Sequence, residues 1–148
     1  MALLLGTLIW IVFPYLVIKL NQFLGLPSWQ FWPLQVLGWI LIICGITVFA
    51  HLTLLFKVFG EGTPVPTEPP QKFVLESLYQ RTRNPMYLCY FIIILGEWLV
   101  FGSVLLIVYL ALFWLKVNLF VVFWEEPGLR KRFGKEYVDY CRRVPRWF

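Results

Sequence analysis

The stretch that decides the fold is NPMYLCYFIIILGEWLVFGSVLLIVYLALFWLKVNLFVVFWEE, which covers residues 84–126. It begins with Asn84-Pro85, continues as a long apolar run and ends in Glu125-Glu126. Asn is a favoured N-cap, and Pro is favoured at the first helical position because its missing N–H is not needed there. Ionisable groups beside a membrane-length apolar run are costly, so they indicate a functional site. The stretch therefore predicts membrane helices that end in a pair of functional acids.

The composition of the 148-residue chain is that of an integral membrane protein. Hydrophobic residues make up 60% of it and charged residues only 14%, whereas a soluble domain carries roughly 25% charged residues. The eight Trp residues are typical of the same class, because Trp gathers where lipid meets water. We expect one all-α membrane domain over residues 1–148.

Hydropathy predicts four transmembrane helices, each near the roughly 20 residues needed to cross a bilayer. The expected spans cover about residues 2–20, 33–59, 85–101 and 104–124. The third and fourth spans are joined by a tight turn at Gly102-Ser103. A connection over residues 60–84 and a tail over residues 125–148 complete the domain.

The net charge of +5 is concentrated in these two connecting segments. Seven of the thirteen basic residues lie in the tail, and four lie in or beside the connection. The positive-inside rule places both segments on the cytoplasmic face, where four spans also put both termini. Nucleic acid is not an expected partner, because the basic residues adjoin spans and can meet anionic lipid.

Four Pro residues within residues 60–70 predict an extended, polyproline-like path. Two interpretations stay open for it: a stiff linker, or a strap across the cytoplasmic mouth of a pocket. Further along, Pro127-Gly128 are expected to break the fourth span. Residues 129–143 then carry apolar side chains at spacings of three and four, which predicts an amphipathic cytoplasmic helix. That helix either rests on the membrane surface or folds back over the carboxylates.

The charged groups at the ends of the central stretch suit a ligand that carries both signs of charge. A helix start offers N–H groups and a positive dipole to an anion, and Arg83 adds a bidentate donor for a carboxylate. Glu125 and Glu126 attract an ammonium or a sulfonium. Asn118 supports a functional reading, because it lies about two helical turns before Glu125 on the same face.

The competing interpretation is that Arg130 or Arg132 in the next turn merely neutralises the two acids. Elsewhere, the lone His51 is expected to be structural. The three Cys residues show no paired spacing, so neither a disulfide framework nor a metal site is predicted.

Two groups of motifs resemble a known superfamily of membrane enzymes. The first group is Gly62-Thr63-Pro64-Val65-Pro66, Pro69-Pro70 and Arg83-Asn84-Pro85-Met86-Tyr87. The second group is Glu125-Glu126-Pro127, Arg132-Phe133-Gly134-Lys135-Glu136-Tyr137, Tyr140 and Val144-Pro145-Arg146-Trp147. Their order and spacing resemble the membrane methyltransferases, which include isoprenylcysteine carboxyl methyltransferases and phosphatidylethanolamine N-methyltransferases.

The resemblance implies S-adenosylmethionine as the methyl donor, bound from the cytoplasmic side between the last two spans and the tail. By position it assigns cofactor contacts to Gln71, Lys72, Phe73, Val74, Tyr79, Asn84, Pro85, Met86, Tyr87 and Glu125. The charge argument adds Arg83 and Glu126 to this predicted cofactor site.

The resemblance also bears on the methyl acceptor, which is expected to be a lipid or another apolar small molecule. Asn84 stands where the eukaryotic enzymes have His, so no proton-transfer role is implied for it, and the catalytic residues stay unassigned. Val121 stands where the prenylcysteine enzymes have a substrate-binding Arg, which argues against a prenylcysteine acceptor. Two other functions stay open: an NADPH-dependent membrane reductase of the sterol-reductase type, and a non-enzymatic membrane scaffold.

Overall fold

A computed structural model describes residues 6–59 and 77–147, which are helical almost throughout. The helices are α1 (Phe13–Phe23), α2 (Trp32–Phe59), α3 (Pro85–Phe101), α4 (Val104–Phe120) and α5 (Glu126–Arg143). Shorter helical turns are π-helical at Leu8–Val12 and Val121–Glu125 and 3₁₀-helical at Ser77–Gln80. No strand occurs in this part of the chain, so the all-α prediction is confirmed.

The helix bounds around the central turn agree with the sequence prediction. α3 begins at Pro85, and Gly102 has a positive φ of 62° in the turn before α4. Trp32–Leu55 and Val104–Arg143 are long and apolar enough to cross a membrane, whereas the apolar helices Leu8–Phe23 and Pro85–Phe101 are shorter. The presence of four crossings stays a prediction.

The predicted break at Pro127-Gly128 is wrong. Pro127 is the second residue of α5, which directly follows the π-helical turn Val121–Glu125, and the backbone passes from that turn into α5 without leaving helical geometry. The helical run therefore continues from Val104 to Arg143. Its non-helical backbone falls at Gly134, with φ 54° and ψ −126°, a conformation that glycine adopts because it has no Cβ.

Two compact units divide the chain, and unit 1 comprises Met1–His51 and Cys89–Phe113. In unit 1, α2 and α3 approach closely at two glycines. A Cβ added at Gly38 would lie 2.6 Å from the carbonyl oxygen of Gly96, and one at Gly96 would lie 2.7 Å from that of Gly38. Such small residues allow the tight backbone packing that is typical of membrane helices.

Unit 2 comprises Leu52–Leu88 and Trp114–Phe148. Its core contains the buried Tyr137, Tyr140 and Val144, against which Leu129, Phe133 and Cys141 pack. The Tyr140 hydroxyl donates a 2.6 Å hydrogen bond to the carbonyl oxygen of Tyr79. Tyr137 and Tyr140 of α5 are thus covered by protein, and the choice between a helix on the membrane surface and one folded back over the carboxylates stays open.

Candidate active site

Glu126 is held by two arginines at the point where α4 passes into α5. Nη1 of Arg83 lies 2.9 Å from Oε1, while Nε and Nη2 of Arg146 lie 2.7 Å from Oε1 and 3.0 Å from Oε2. Burial disfavours the charge of this carboxyl group, but the hydrogen bond from Arg146 and the charges of Arg83, Arg146 and Arg130 outweigh it. They hold the pKa of Glu126 below its usual range, so this acid is a charged anchor.

The neutralising partners differ from those that the sequence analysis considered. Arg130 contributes charge near Glu126, but the ion pairs come from Arg83 and Arg146. The reason is tertiary, because the chain turns back after α5 and brings Arg146 to the acid. Arg83 Nη1 also lies 3.0 Å from Sγ of Cys141, which ties the guanidinium to α5.

Glu125 differs from its neighbour in both its partner and its pKa. Its Oε2 accepts a 2.9 Å hydrogen bond from the Tyr87 hydroxyl on α3. Within residues 77–147, the ion pairs of Arg83 and Arg146 go to Glu126 and not to Glu125. Burial raises the pKa of Glu125, the bond from Tyr87 opposes this effect, and the charge of Glu126 adds to it. Two adjacent carboxyl groups whose pKa values are driven apart are a signature of a functional site.

The residues after α5 lie along the start of α3. The backbone N–H of Arg83 donates to the Pro145 carbonyl at 3.0 Å. The side chains of Thr82 and Asn84 donate to the Arg146 carbonyl at 3.2 Å and 3.0 Å. We call residues 144–147 the C-terminal segment. Its three hydrogen bonds hold residues 82–84, which directly precede α3, against the tail.

Trp147 extends the C-terminal segment to α4. Its Nε1 donates to Oδ1 of Asn118 at 3.2 Å. The described partner of Asn118 is therefore Trp147 of the tail, and the polar face that Asn118 was predicted to share with Glu125 stays a prediction. The sequence analysis missed Thr82 and gave no role to Arg146, although Arg146 stands within the quoted motif that follows α5.

The structure brings several of the predicted cofactor residues together in unit 2. Arg83 donates to Glu126, Tyr87 donates to Glu125, and Asn84 donates to the carbonyl of Arg146, which itself holds Glu126. Pro85 and Met86 form the first turn of α3, and Tyr79 is connected through its carbonyl to Tyr140. Gln71, Lys72, Phe73 and Val74 lie outside the described residues.

The comparisons with known proteins support one family. Residues 33–136 match the model of the phospholipid methyltransferase family. No curated protein and no solved structure matches the chain significantly. The matched range covers most of the chain and includes α2, α3, α4 and both acids, so the resemblance drawn from the motifs is confirmed. The chain belongs to the phospholipid methyltransferase family, whose members are membrane enzymes that transfer methyl groups to lipids.

Proposed function

We propose that the protein transfers the methyl group of S-adenosylmethionine to a phospholipid or another apolar acceptor at the cytoplasmic face of the membrane. The observation that carries this proposal is the contact between Glu125 and Tyr87. Glu125 is a half-buried carboxyl group that has no arginine partner among the described residues and lies beside the first turn of α3. The family match supports methyl transfer and a lipid acceptor.

The available groups fit the charges of this donor. Glu125 Oε2 is occupied by Tyr87, which leaves its other oxygen for the sulfonium or the ammonium of the donor. The N–H groups in the first turn of α3 suit the donor carboxylate, because a helix start attracts anions. Tyr79 and Tyr87 provide aromatic faces for the adenine, and we keep Phe73 in the same proposed role.

Arg83 and Glu126 have a different part in this proposal. They are engaged with each other, and Arg146 occupies both oxygens of Glu126. We therefore assign them to positioning: they hold the start of α3 and the C-terminal segment in place. That assignment refines the predicted cofactor site, in which both residues were direct contacts.

When bound, S-adenosylmethionine supplies an activated methyl group that an acceptor lone pair takes in a single displacement. The tasks of the chain are alignment of the two reactants and exclusion of water. In this proposal Glu125 and the start of α3 orient the positive and the negative groups of the donor. The C-terminal segment covers that start and keeps bulk water away from it.

Isothermal calorimetry on the detergent-purified protein tests the donor site. Glu125→Gln keeps the shape of the side chain and removes its charge, so we expect about tenfold weaker binding of S-adenosylmethionine. S-adenosylhomocysteine has no sulfonium, so a smaller loss for it would place Glu125 against sulfur and an equal loss would place Glu125 against the ammonium.

Glu136→Gln is the matched control, because Glu136 is an exposed acid of α5. We expect it to bind both compounds like the wild-type protein. Unchanged binding in Glu125→Gln would remove this residue from the site. Absence of heat with S-adenosylmethionine, together with binding of NADPH, would replace the proposal by the reductase interpretation.

A further inference from the structure

An exposed face of α4 carries one charged residue among large apolar side chains. Lys116, Leu119, Phe120 and Phe123 are all exposed. Because the last three follow Lys116 by three, four and seven positions, the four residues share one face of the helix. Lys116 is also the only charged residue within residues 104–124. We call Lys116, Leu119, Phe120 and Phe123 the Lys116 face.

The other side of α4 packs against the protein. Val117 and Val121 are buried, and Asn118 accepts the hydrogen bond from Trp147. These three residues follow Lys116 by one, five and two positions, so they point away from the Lys116 face. The Lys116 face is therefore the outer face of α4, which in a membrane-spanning helix is the face that lipid or another helix covers.

Lys116 has no countercharge in the part of the chain that the structure describes. Within residues 6–59 and 77–147, no ion pair, hydrogen bond or cation–π contact joins it to another residue. A charged side chain in hydrocarbon is costly, and such residues in membrane spans are usually paired. An anion that reaches Lys116 from outside removes this cost.

The position of Lys116 along α4 decides which anion can reach it. It lies eight residues before Trp124 and twelve residues after Val104, which corresponds to about 12 Å and about 18 Å along the helix axis. The Cβ of a helical residue points towards the N-terminal end of the helix, so Lys116 leans towards the more distant end. Phosphate groups at either membrane surface are therefore beyond the reach of a lysine side chain in this position.

A second copy of this chain does not supply the anion at that depth. Seven of its eight acidic residues lie within residues 61–76 and 125–139, in the connection and the tail. The eighth, Glu97, is buried in α3. A carboxylate on an apolar helix of another protein matches both the charge and the depth. Leu119, Phe120 and Phe123 offer such a helix the van der Waals contact on which association in membranes depends.

We propose that the Lys116 face docks a transmembrane helix of a different protein, which carries an Asp or Glu beside Lys116. The ammonium and the carboxylate then form an ion pair in surroundings of low dielectric, where their attraction is much stronger than in water. The proposal does not depend on methyl transfer, because Glu125 contacts Tyr87 of α3 and takes no part in the Lys116 face.

Association of synthetic helices with the full-length protein in phosphatidylcholine vesicles tests the proposal. The probe is a polyleucine helix with lysines at both ends, a dye at one end and a single Glu about 12 Å from that end. A matched helix has Gln in place of Glu. The Trp residues of the protein serve as fluorescence donors to the dye. At mildly alkaline pH we expect the Glu helix to associate about tenfold more tightly than the Gln helix.

Three variants separate the charge of Lys116 from other effects. Lys116→Met keeps the length of the side chain without its charge, so the two helices are expected to associate with it equally. Lys116→Arg keeps the charge and is expected to keep the preference for the Glu helix. Lys19→Met is the matched control, because Lys19 is an exposed lysine of α1 that lies only four residues before the end of that helix at Phe23. It is expected to keep the preference as well.

Equal association of the two helices with the wild-type protein, or a preference that survives Lys116→Met, would overturn the proposal. A measurement on the wild-type protein alone keeps it testable if Lys116→Met does not fold. Moving the Glu of the probe into its first turn is expected to abolish the preference, because the carboxylate then lies too far from Lys116. An undiminished preference would contradict the match in depth.

Other occupants of the Lys116 face give different results, and each would replace the proposal. Retention of phosphatidylglycerol that Lys116→Met abolishes would assign the face to a lipid phosphate. Self-association that Lys116→Met abolishes would assign it to a second copy of this chain. A preference for the Glu helix that appears only after Glu61→Gln, Glu68→Gln and Glu76→Gln are combined would show that Lys116 pairs with an acid of residues 60–84.

Discussion

The buried acidic residues of the two compact units differ in whether they have charged partners. Unit 2 contains all but one of the thirteen basic and all but one of the eight acidic residues, and Glu126 is paired there with two arginines. Unit 1 is apolar and packs through Gly38 and Gly96, and Oε2 of its Glu97 has no hydrogen-bond partner in the part of the chain that the structure describes. The contrast teaches that unit 2 depends on a polar network and unit 1 on close helix contact. Each dependence can be broken separately.

The largest expected effect is on the polar network. Glu126→Gln removes the charge that Arg83 and Arg146 share and leaves the 12%-exposed Arg83 side chain without a countercharge. We expect the free energy of unfolding to fall by about 3 kcal/mol, measured by denaturation in detergent. Glu125→Gln is the control, because within residues 77–147 no arginine forms an ion pair with Glu125. Equal losses in the two variants would contradict the division of roles between the acids.

The next effect concerns helix contact in unit 1. Gly38→Ala places a Cβ 2.6 Å from the Gly96 carbonyl oxygen, and such overpacking costs about 2 kcal/mol of unfolding free energy. Gly128→Ala is the matched control, since a Cβ there meets nothing within 4 Å and Ala is the better helix former. A tolerated Gly38→Ala in the same denaturation measurement would show that α2 and α3 are not closely packed.

The pH dependence of stability sharpens the account of Glu126. Its pKa in the folded protein lies below the unfolded value of 4.5, so its stabilisation is complete above pH 4.5 and is lost as the pH falls towards the folded pKa. We expect the stability difference between wild type and Glu126→Gln to shrink below pH 4.5, by at most about 1.4 kcal/mol per pH unit. A constant difference down to pH 3 would show that the ion pairs do not stabilise the fold.

The smallest expected effect lies in the C-terminal segment. Trp147→Phe keeps the ring and removes the donor to Asn118, so we expect a loss of about 1 kcal/mol. A double-mutant cycle with Asn118→Ala measures the coupling directly, and the two losses should not add. Additive losses would mean that this hydrogen bond does not form.

Capping and turn signals, which depend only on neighbouring residues, predicted the bounds of α3 and the start of α4 well. The Asn84-Pro85 start and the Gly102-Ser103 turn depend on neighbouring residues, and α3 and α4 begin and end where those signals stand. The same locality explains the error at Pro127. A helix-breaking signal was inferred there from the residue type alone, but the π-helical turn Val121–Glu125 leads directly into α5.

Which side chains pair with each other in the candidate site could be predicted only in part. The convergence of Arg83, Asn84 and Glu125 on one place was expected from charge and helix polarity, and Tyr87 was expected there from the family resemblance. The pairing of Glu126 with Arg146, twenty residues later, depends on how the chain returns after Gly134 and Val144. The hydrophobic periodicity of α5 does not predict where the chain goes after this helix ends. Glu97 was visible as a charge in an apolar run, but its lack of a partner is a property of packing.

The central claim is that Glu125 and the start of α3 hold a methyl donor for a lipid acceptor. The most direct test incubates the purified protein with phosphatidylethanolamine vesicles and S-adenosylmethionine labelled in its methyl group, and then counts label in the extracted lipid. The account predicts labelled lipid from the wild type and Glu136→Gln and about tenfold less from Glu125→Gln. Equal labelling by all three proteins, or a wild-type protein that labels no lipid, would contradict it.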